Sequence, residues 1–294
     1  LAPGPLARFV PPVAWPWQLG LALLIGMGCL FRRRLSLIGL GRGFALLAGL
    51  FAVSEWHFTW AALSGMETLL AVAACILVLT LMAGEQPKYG LAGVVVALAI
   101  WVRPELITLA GPVGLALWFD RVPVRTKIKK AVVAILPVFF FGAAYLGFNL
   151  TTSGEIWPST FFAKQAEYAA LLDTPLVNRI FSLAALPLSG AGVLLLPGFV
   201  AALYQAVRQR RIAEIGAGLW WAGMILIYAS RLPVVYQHGR YMMPVMAVYF
   251  LLGLRGTIQG VTYLNQKGRL ASLLARAWAA SIAAVQVAFL VLGG

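Results

Sequence analysis

Carboxylates are scarce in this chain: nine Asp and Glu in 294 residues, against 23 Lys and Arg. All charged residues together make up 11%, less than half the quarter or so that a soluble domain carries. So little charge cannot clothe a water-facing surface, which excludes an ordinary soluble enzyme. A disordered chain is excluded too, because disorder needs low hydrophobicity. Cysteine is rarer still. Cys29 and Cys75 each sit in an apolar run, offer neither a disulfide frame nor a metal-ligand spacing, and are expected to be small buried residues. What the chain does have is apolar side chain, 62% of residues, with a mean hydropathy of +0.89. That composition points to one membrane domain. A net charge of +14 is of the sign that attracts nucleic acid. In a membrane protein, however, Lys and Arg gather in cytoplasmic loops, so no nucleic-acid partner is expected.

A membrane-crossing helix needs about 20 mainly apolar residues. On that measure the fold class is all-α, a polytopic transmembrane bundle of about ten spans forming a single domain over residues 1–294. The spans fall at 13–31, two within 43–83, two within 90–119, then 131–150, 189–207, 212–230, 241–254 and 272–292. Polar interruptions divide the two double-length stretches: Ser54-Glu55-Trp56-His57 and Ser64-Gly65-Met66-Glu67-Thr68 in the first, Arg103-Pro104-Glu105 in the second. The only long polar connection is the loop 151–179, expected to be extracytoplasmic and to contain a short helix or two.

Alternation of the spans then fixes sidedness. With the N-terminus outside, only Arg8, Arg103, Lys164, Arg179, Arg231 and Arg240 of the 23 basic residues are outside. Of the nine acids, only Glu85, Asp120 and Glu214 are inside. Basic loops face the cytoplasm in such proteins, so a multi-pass plasma-membrane location is expected, its polar clusters on the extracytoplasmic face. Those clusters are Glu55-Trp56-His57, Ser64-Gly65-Met66-Glu67, Arg103-Pro104-Glu105, the segment 155–164 ending at Lys164, and Gln237-His238-Gly239-Arg240-Tyr241. Each has a plain structural reading. Glu55 and His57 could end a helix, and Glu67 could sit at a helix start. Arg103 and Glu105 could pair, Lys164 could anchor at the interface beside Trp157, and Arg240 and Tyr241 could snorkel. Ionisable groups at span ends usually face a cavity or a partner. Convergence of both signs at one depth therefore reads as a site for a polar, phosphate-bearing ligand.

The motifs resemble those of a known family. Ser64-Gly65-Met66-Glu67-Thr68-Leu69-Leu70 resembles the SGxE-T-x-L motif of bacterial membrane glycosyltransferases, and Arg103-Pro104-Glu105 closes the next hairpin as theirs does. The stretch from Ser153 to Lys164 is similar to their G-x-x-x-P-N-T-x-x-A-K loop, and His238-Gly239-Arg240-Tyr241-Met242-Met243-Pro244 to their G-R-Y-x-x-P helix start. The family is the GT-C glycosyltransferases, which include the similar mycobacterial terminal arabinofuranosyltransferases and mannosyltransferase-like proteins. The resemblance implies inverting transfer of a sugar from a polyprenyl-phosphate donor to a glycan or lipid acceptor of the cell envelope, on the extracytoplasmic face. It assigns Arg103, Lys164 and Arg240 to the donor phosphate, supported by His238 and Tyr241, with Glu67 and Glu105 orienting sugar hydroxyls or the cations.

One feature of the family is missing. Its members carry an acidic pair in the first outer loop, the expected catalytic base and the place for a divalent metal. Here the segment from Leu1 to Val13 has no carboxylate. The chain begins at Leu1 and ends at Gly294, and both ends are expected to be cut from a longer protein. Without the base the fragment itself is expected to be inactive, with Glu67 and Glu55 as weak substitutes. No metal ligands are identified, and the cofactor requirement stays open. The rival reading is a transporter or flippase of lipid-linked sugars, which would also use a polar membrane cavity.

Overall fold

The computed structural model describes residues 14–37, 41–84 and 86–292, without the side chains of 14–17, 159–161 and 165. Arg8, Glu85 and the segment 1–13, on which parts of the charge partition rest, lie outside the described residues. Every regular element among the described residues is helical.

Helix α1 (Ala14–Leu37) is followed by α2 (Arg42–Ser54), which bends by 52° into α3 (Trp56–Leu63). Glu55 makes the bend. Its extended backbone ends α2, and its side chain caps α3 by accepting the Phe58 N–H at 3.2 Å. Gly65, in the left-handed region at φ 67°, ends the turn after α3. Next come α4 (Thr68–Leu81) and α5 (Tyr89–Val102). Arg103 is extended, as the residue before a proline prefers. A 3-10 turn, Pro104–Leu109, leads from it into α6 (Ala110–Phe119). Helix α7 (Val124–Ser153) runs for 30 residues and stops at the left-handed Gly154. The polar connection does hold short helices: α8 (Ser159–Glu167), a 3-10 turn and α9 (Leu176–Ala185). The chain then turns by 106° into α10 (Gly192–Arg208). After α11 (Ile212–Arg231) come a single turn, α12 (Tyr236–Gly239), and two long helices, α13 (Met243–Asn265) and α14 (Arg269–Leu292).

Four of these helices, α7, α11, α13 and α14, are long and apolar enough to cross a membrane. The number becomes six if the bent pairs α2–α3 and Leu176–Leu188 with α10 each make one span. The expected ten is not reached on these measures. Helices α4 and α5 have 14 residues each, about 21 Å of rise against a hydrocarbon core of about 30 Å.

Helix α13 is the axis of the core, buried from Met243 to Ile258. Against α10 it packs backbone to backbone: a Cβ on Gly256 would run into the Gly198 carbonyl, and one on Gly198 into the Gly253 carbonyl. Small residues of this kind let helices approach closely where lipid leaves no hydrophobic drive between them. Helix α7 shows the opposite character. It buries only Ala134 and Asn149, while Ile135, Leu136, Phe139, Phe140 and Phe141 are exposed. So large an apolar face needs a non-aqueous neighbour, and lipid fits it.

Three sequence expectations shift. The helix expected at 241–254 runs on to Asn265, enclosing Arg255, which had been assigned to a cytoplasmic loop. Arg255 is instead fully buried and ion-paired with Glu214 of α11, and the carboxylate lets the helix carry a charge inside the bundle. Arg34 had marked the end of the first span; α1 continues past it and buries it. Cys75 is buried as expected, but Cys29 is exposed.

Candidate functional site

Four helix ends supply the polar cluster: the start of α4, the end of α5, the end of α11 and the approach to α13. Arg103 is the hub. It is 4% exposed, placed there by the proline that breaks the helix after it. Its Nε lies 3.6 Å from Glu67 and 3.5 Å from Glu105, and its Nη1 donates to the Arg240 carbonyl oxygen at 3.3 Å. Glu67 does not cap α4 with its side chain; it turns to Arg103 and keeps about half its side chain exposed. Both readings of the Arg103–Glu105 step therefore hold together, since the pair forms and also belongs to a larger group.

Tyr241 forms the floor. Three cations surround its ring: Arg103 at 4.8 Å, Lys164 at 4.9 Å and Arg240 at 4.7 Å from the centroid. Arg240 Nη2 also donates to the Tyr241 hydroxyl at 2.7 Å. Burial raises the affinity of this phenol for its proton, but hydrogen bonds from Arg240 and Lys164 outweigh that effect and hold it below its ordinary value. Three cations against two carboxylates leave a net positive charge. Two guanidinium nitrogens, Arg103 Nη2 and Arg240 Nε, are buried and have no partner among the described residues. An anion would satisfy both.

The turn that presents Arg240 is strained. Gln237, His238 and Gly239 are all left-handed, with φ of 52°, 55° and 65°. Such a conformation costs a non-glycine residue about 1–2 kcal/mol, and strain of this sort collects at functional sites. His238 packs its ring edge-on against Trp56 at 4.9 Å and Trp60 at 4.7 Å. Desolvation, with a smaller contribution from nearby His57, keeps the His238 imidazole below its ordinary pKa, so it is neutral at pH 7.

The clusters expected to share one membrane depth are thus joined by contacts, with one exception. Glu55 does not reach the Arg103 group. It is 2% exposed, and its oxygens are occupied by the Phe58 N–H and by His57 Nδ1 at 2.7 Å. It connects only through the Trp56–His238 packing. Tyr228, Trp60 and Tyr236 were missed by sequence reasoning. Tyr228 donates to Glu105 at 2.8 Å from inside an apolar helix, where nothing in the pattern distinguishes it. The hydroxyl of Tyr236 hydrogen-bonds Tyr168 of the polar connection, fastening that segment to the turn before Arg240. An aromatic one residue before the Gln-His-Gly-Arg turn was the available signal.

Elsewhere, α2, α13 and α14 enclose an apolar cleft of about 300 Å³ that reaches Ser54, the residue before Glu55. Among the described residues, no three His, Cys, Asp or Glu gather as metal ligands would. Compared with known proteins, the chain matches no family model, no curated protein and no solved structure.

Proposed function

We propose that this chain is the donor-binding part of a membrane glycosyltransferase of the GT-C kind, which transfers a sugar from a polyprenyl phosphate to a cell-envelope glycan or lipid on the extracytoplasmic face. The observation that carries the reading is the convergence of Arg103, Lys164 and Arg240 on Tyr241, with two guanidinium nitrogens unpartnered among the described residues. In this reading the helices make about ten passes, the shorter ones within the bundle, and the basic ends face the cytoplasm.

The chemistry follows from the groups available. The acceptor hydroxyl oxygen attacks the anomeric carbon, the bond from that carbon to the donor phosphate oxygen breaks, and the configuration inverts. The phosphate departs on its prenyl chain with a second negative charge. Arg103 donates to it from Nη2 and Arg240 from Nε, the nitrogens without a partner among the described residues, and Lys164 acts as a point charge, stabilising the charge as it grows. The attacking hydroxyl must lose its proton to a base. Glu55 is already engaged, so of this chain's candidates Glu67, half exposed beside Arg103, is the better placed. The strand of aromatics Trp56, Trp60 and His238 offers apolar faces to the sugar, and the cleft ending at Ser54 suits a prenyl chain.

Binding tests this directly. Protein in nanodiscs is incubated with radiolabelled polyprenyl phosphate and counted by proximity scintillation, wild type beside Lys164→Ala and Arg240→Ala. The expected result is saturable binding weakened at least tenfold in each variant. Equal binding by all three overturns the assignment.

A further inference from the structure

The end of the bundle away from Tyr241 holds a second charged group, for which the proposed transfer has no use. Arg34 lies in the last turn of α1, 2% exposed, and its Nε and Nη1 have no partner among the described residues. Arg255 lies 12 residues along α13 from its start, about 18 Å by helical rise, and is fully buried against Glu214. Arg211, at the start of α11, lies 3.6 Å from the other oxygen of Glu214 and keeps a third of its side chain exposed. The three arginines lie within one another's electrostatic field.

Three positive charges thus meet one negative charge, Arg34 and Arg255 out of water and Arg211 at its edge. Burying a guanidinium without a counter-charge is among the costliest things a fold can do. Among the described residues the remaining acids do not relieve it; Glu155, Glu167 and Asp173 are exposed in the polar connection 151–179. Asp120 is taken by Lys130 at 2.8 Å and by the Tyr89 hydroxyl at 3.0 Å. Glu67 and Glu105 belong to the Arg103 group, and Glu55 to His57.

We infer that Arg34, Arg211 and Arg255 form a binding site for a phosphate-bearing anion, with Glu214 holding two of the guanidinium groups in position. Two uncompensated positive charges match a phosphate, and arginine forks match its oxygens in pairs. Arg211 is the way in from the surface. Arg32 and Arg33 precede Arg34 in the chain, Arg208 and Arg210 precede Arg211, and all four are exposed, so they raise the local anion concentration. The anion is the headgroup of a membrane phospholipid or a soluble phosphate.

The test is thermal unfolding, followed by tryptophan fluorescence, of the protein in phosphatidylcholine nanodiscs at fixed ionic strength. One arm adds inorganic phosphate in place of chloride. The other replaces part of the lipid by phosphatidylglycerol. The site predicts a saturable rise of several degrees in at least one arm: in the lipid arm alone for a headgroup, in the phosphate arm for a soluble anion. Arg211→Gln, at the surface, keeps the fold and weakens the response at least tenfold in concentration. Arg34→Gln removes an uncompensated buried charge, so without anion it unfolds no lower than wild type, and it no longer responds. No rise in either arm, or the same rise in Arg211→Gln, overturns the proposal. So does a lowered unfolding temperature in Glu85→Gln with no anion response in wild type, which would make Glu85 the missing counter-charge.

Discussion

Arg103 and Arg240 stand 137 residues apart in the chain, yet Arg103 donates to the Arg240 carbonyl and both guanidinium groups lie over the ring of Tyr241. Each is set there by a backbone irregularity, Arg103 by the following proline and Arg240 by a left-handed turn. If both hold donor phosphate, replacing Arg103 by Ala lowers the transfer rate about a hundredfold, the usual effect of removing a transition-state charge partner. Lysine at this position keeps the charge but not the fork, so Arg103→Lys recovers only part. Rates of a full-length protein containing this chain in reconstituted membranes, with circular dichroism to check the fold, measure both.

Gly239→Ala places a side chain where φ is 65° and where a Cβ would lie 2.8 Å from both Leu186 and Met246. The backbone cost is about 1–2 kcal/mol, and the contacts add to it. The unfolding temperature drops by several degrees, and donor binding falls with it because Arg240 follows directly. A variant that unfolds and binds like wild type contradicts this account of the turn.

Gly256 carries the closest approach of α13 to α10. Leucine there cannot be accommodated without separating the helices, and overpacking costs about 1–3 kcal/mol or more. The expected outcome for Gly256→Leu is loss of monodisperse protein in detergent, whereas Gly26→Ala, whose Cβ would meet no neighbouring atom within 4 Å, leaves the elution profile unchanged.

His238 binds its proton less readily in the fold than its ordinary value of 6.5, through desolvation and the nearby His57. The unfolded chain therefore takes up the proton first as pH falls. Stability from this group is complete above pH 6.5 and declines as pH drops through that value. The groups facing it are His57 with its partner Glu55, and the rings of Trp56 and Trp60. Unfolding temperatures between pH 5.5 and 7.5 show the decline, and His238→Gln flattens it.

The motifs at this site were legible because each interrupts an apolar run, and a polar residue inside a membrane domain is conspicuous. Glu67, Arg103 and Glu105 came from such interruptions, Lys164 from the long polar connection and Arg240 from the polar stretch before a span. Tyr228 was not legible, since a tyrosine in an apolar helix looks like any other core aromatic until Glu105 is found beside it. Arg34 and Arg255 were misread as loop charges. Hydropathy ends a span at the first charge, whereas the fold continues α1 past Arg34 and carries Arg255 inward by pairing it with Glu214 of a helix distant in sequence. Helix lengths were the weakest inference: the apolar stretches predicted spans of similar size, but turns at Glu55, Ser64–Glu67 and Arg103–Pro104 use up residues, leaving α4 and α5 short.

Transfer itself is the most direct test. A full-length protein containing this chain and its Arg240→Ala variant are reconstituted in liposomes with a panel of radiolabelled polyprenyl-phosphate sugars and membrane extract as acceptor. The account predicts label in a lipid or glycan product with wild type and its loss with the variant. Donor that crosses the bilayer with no product formed, in wild type and equally in Arg240→Ala, would contradict it and point to a flippase.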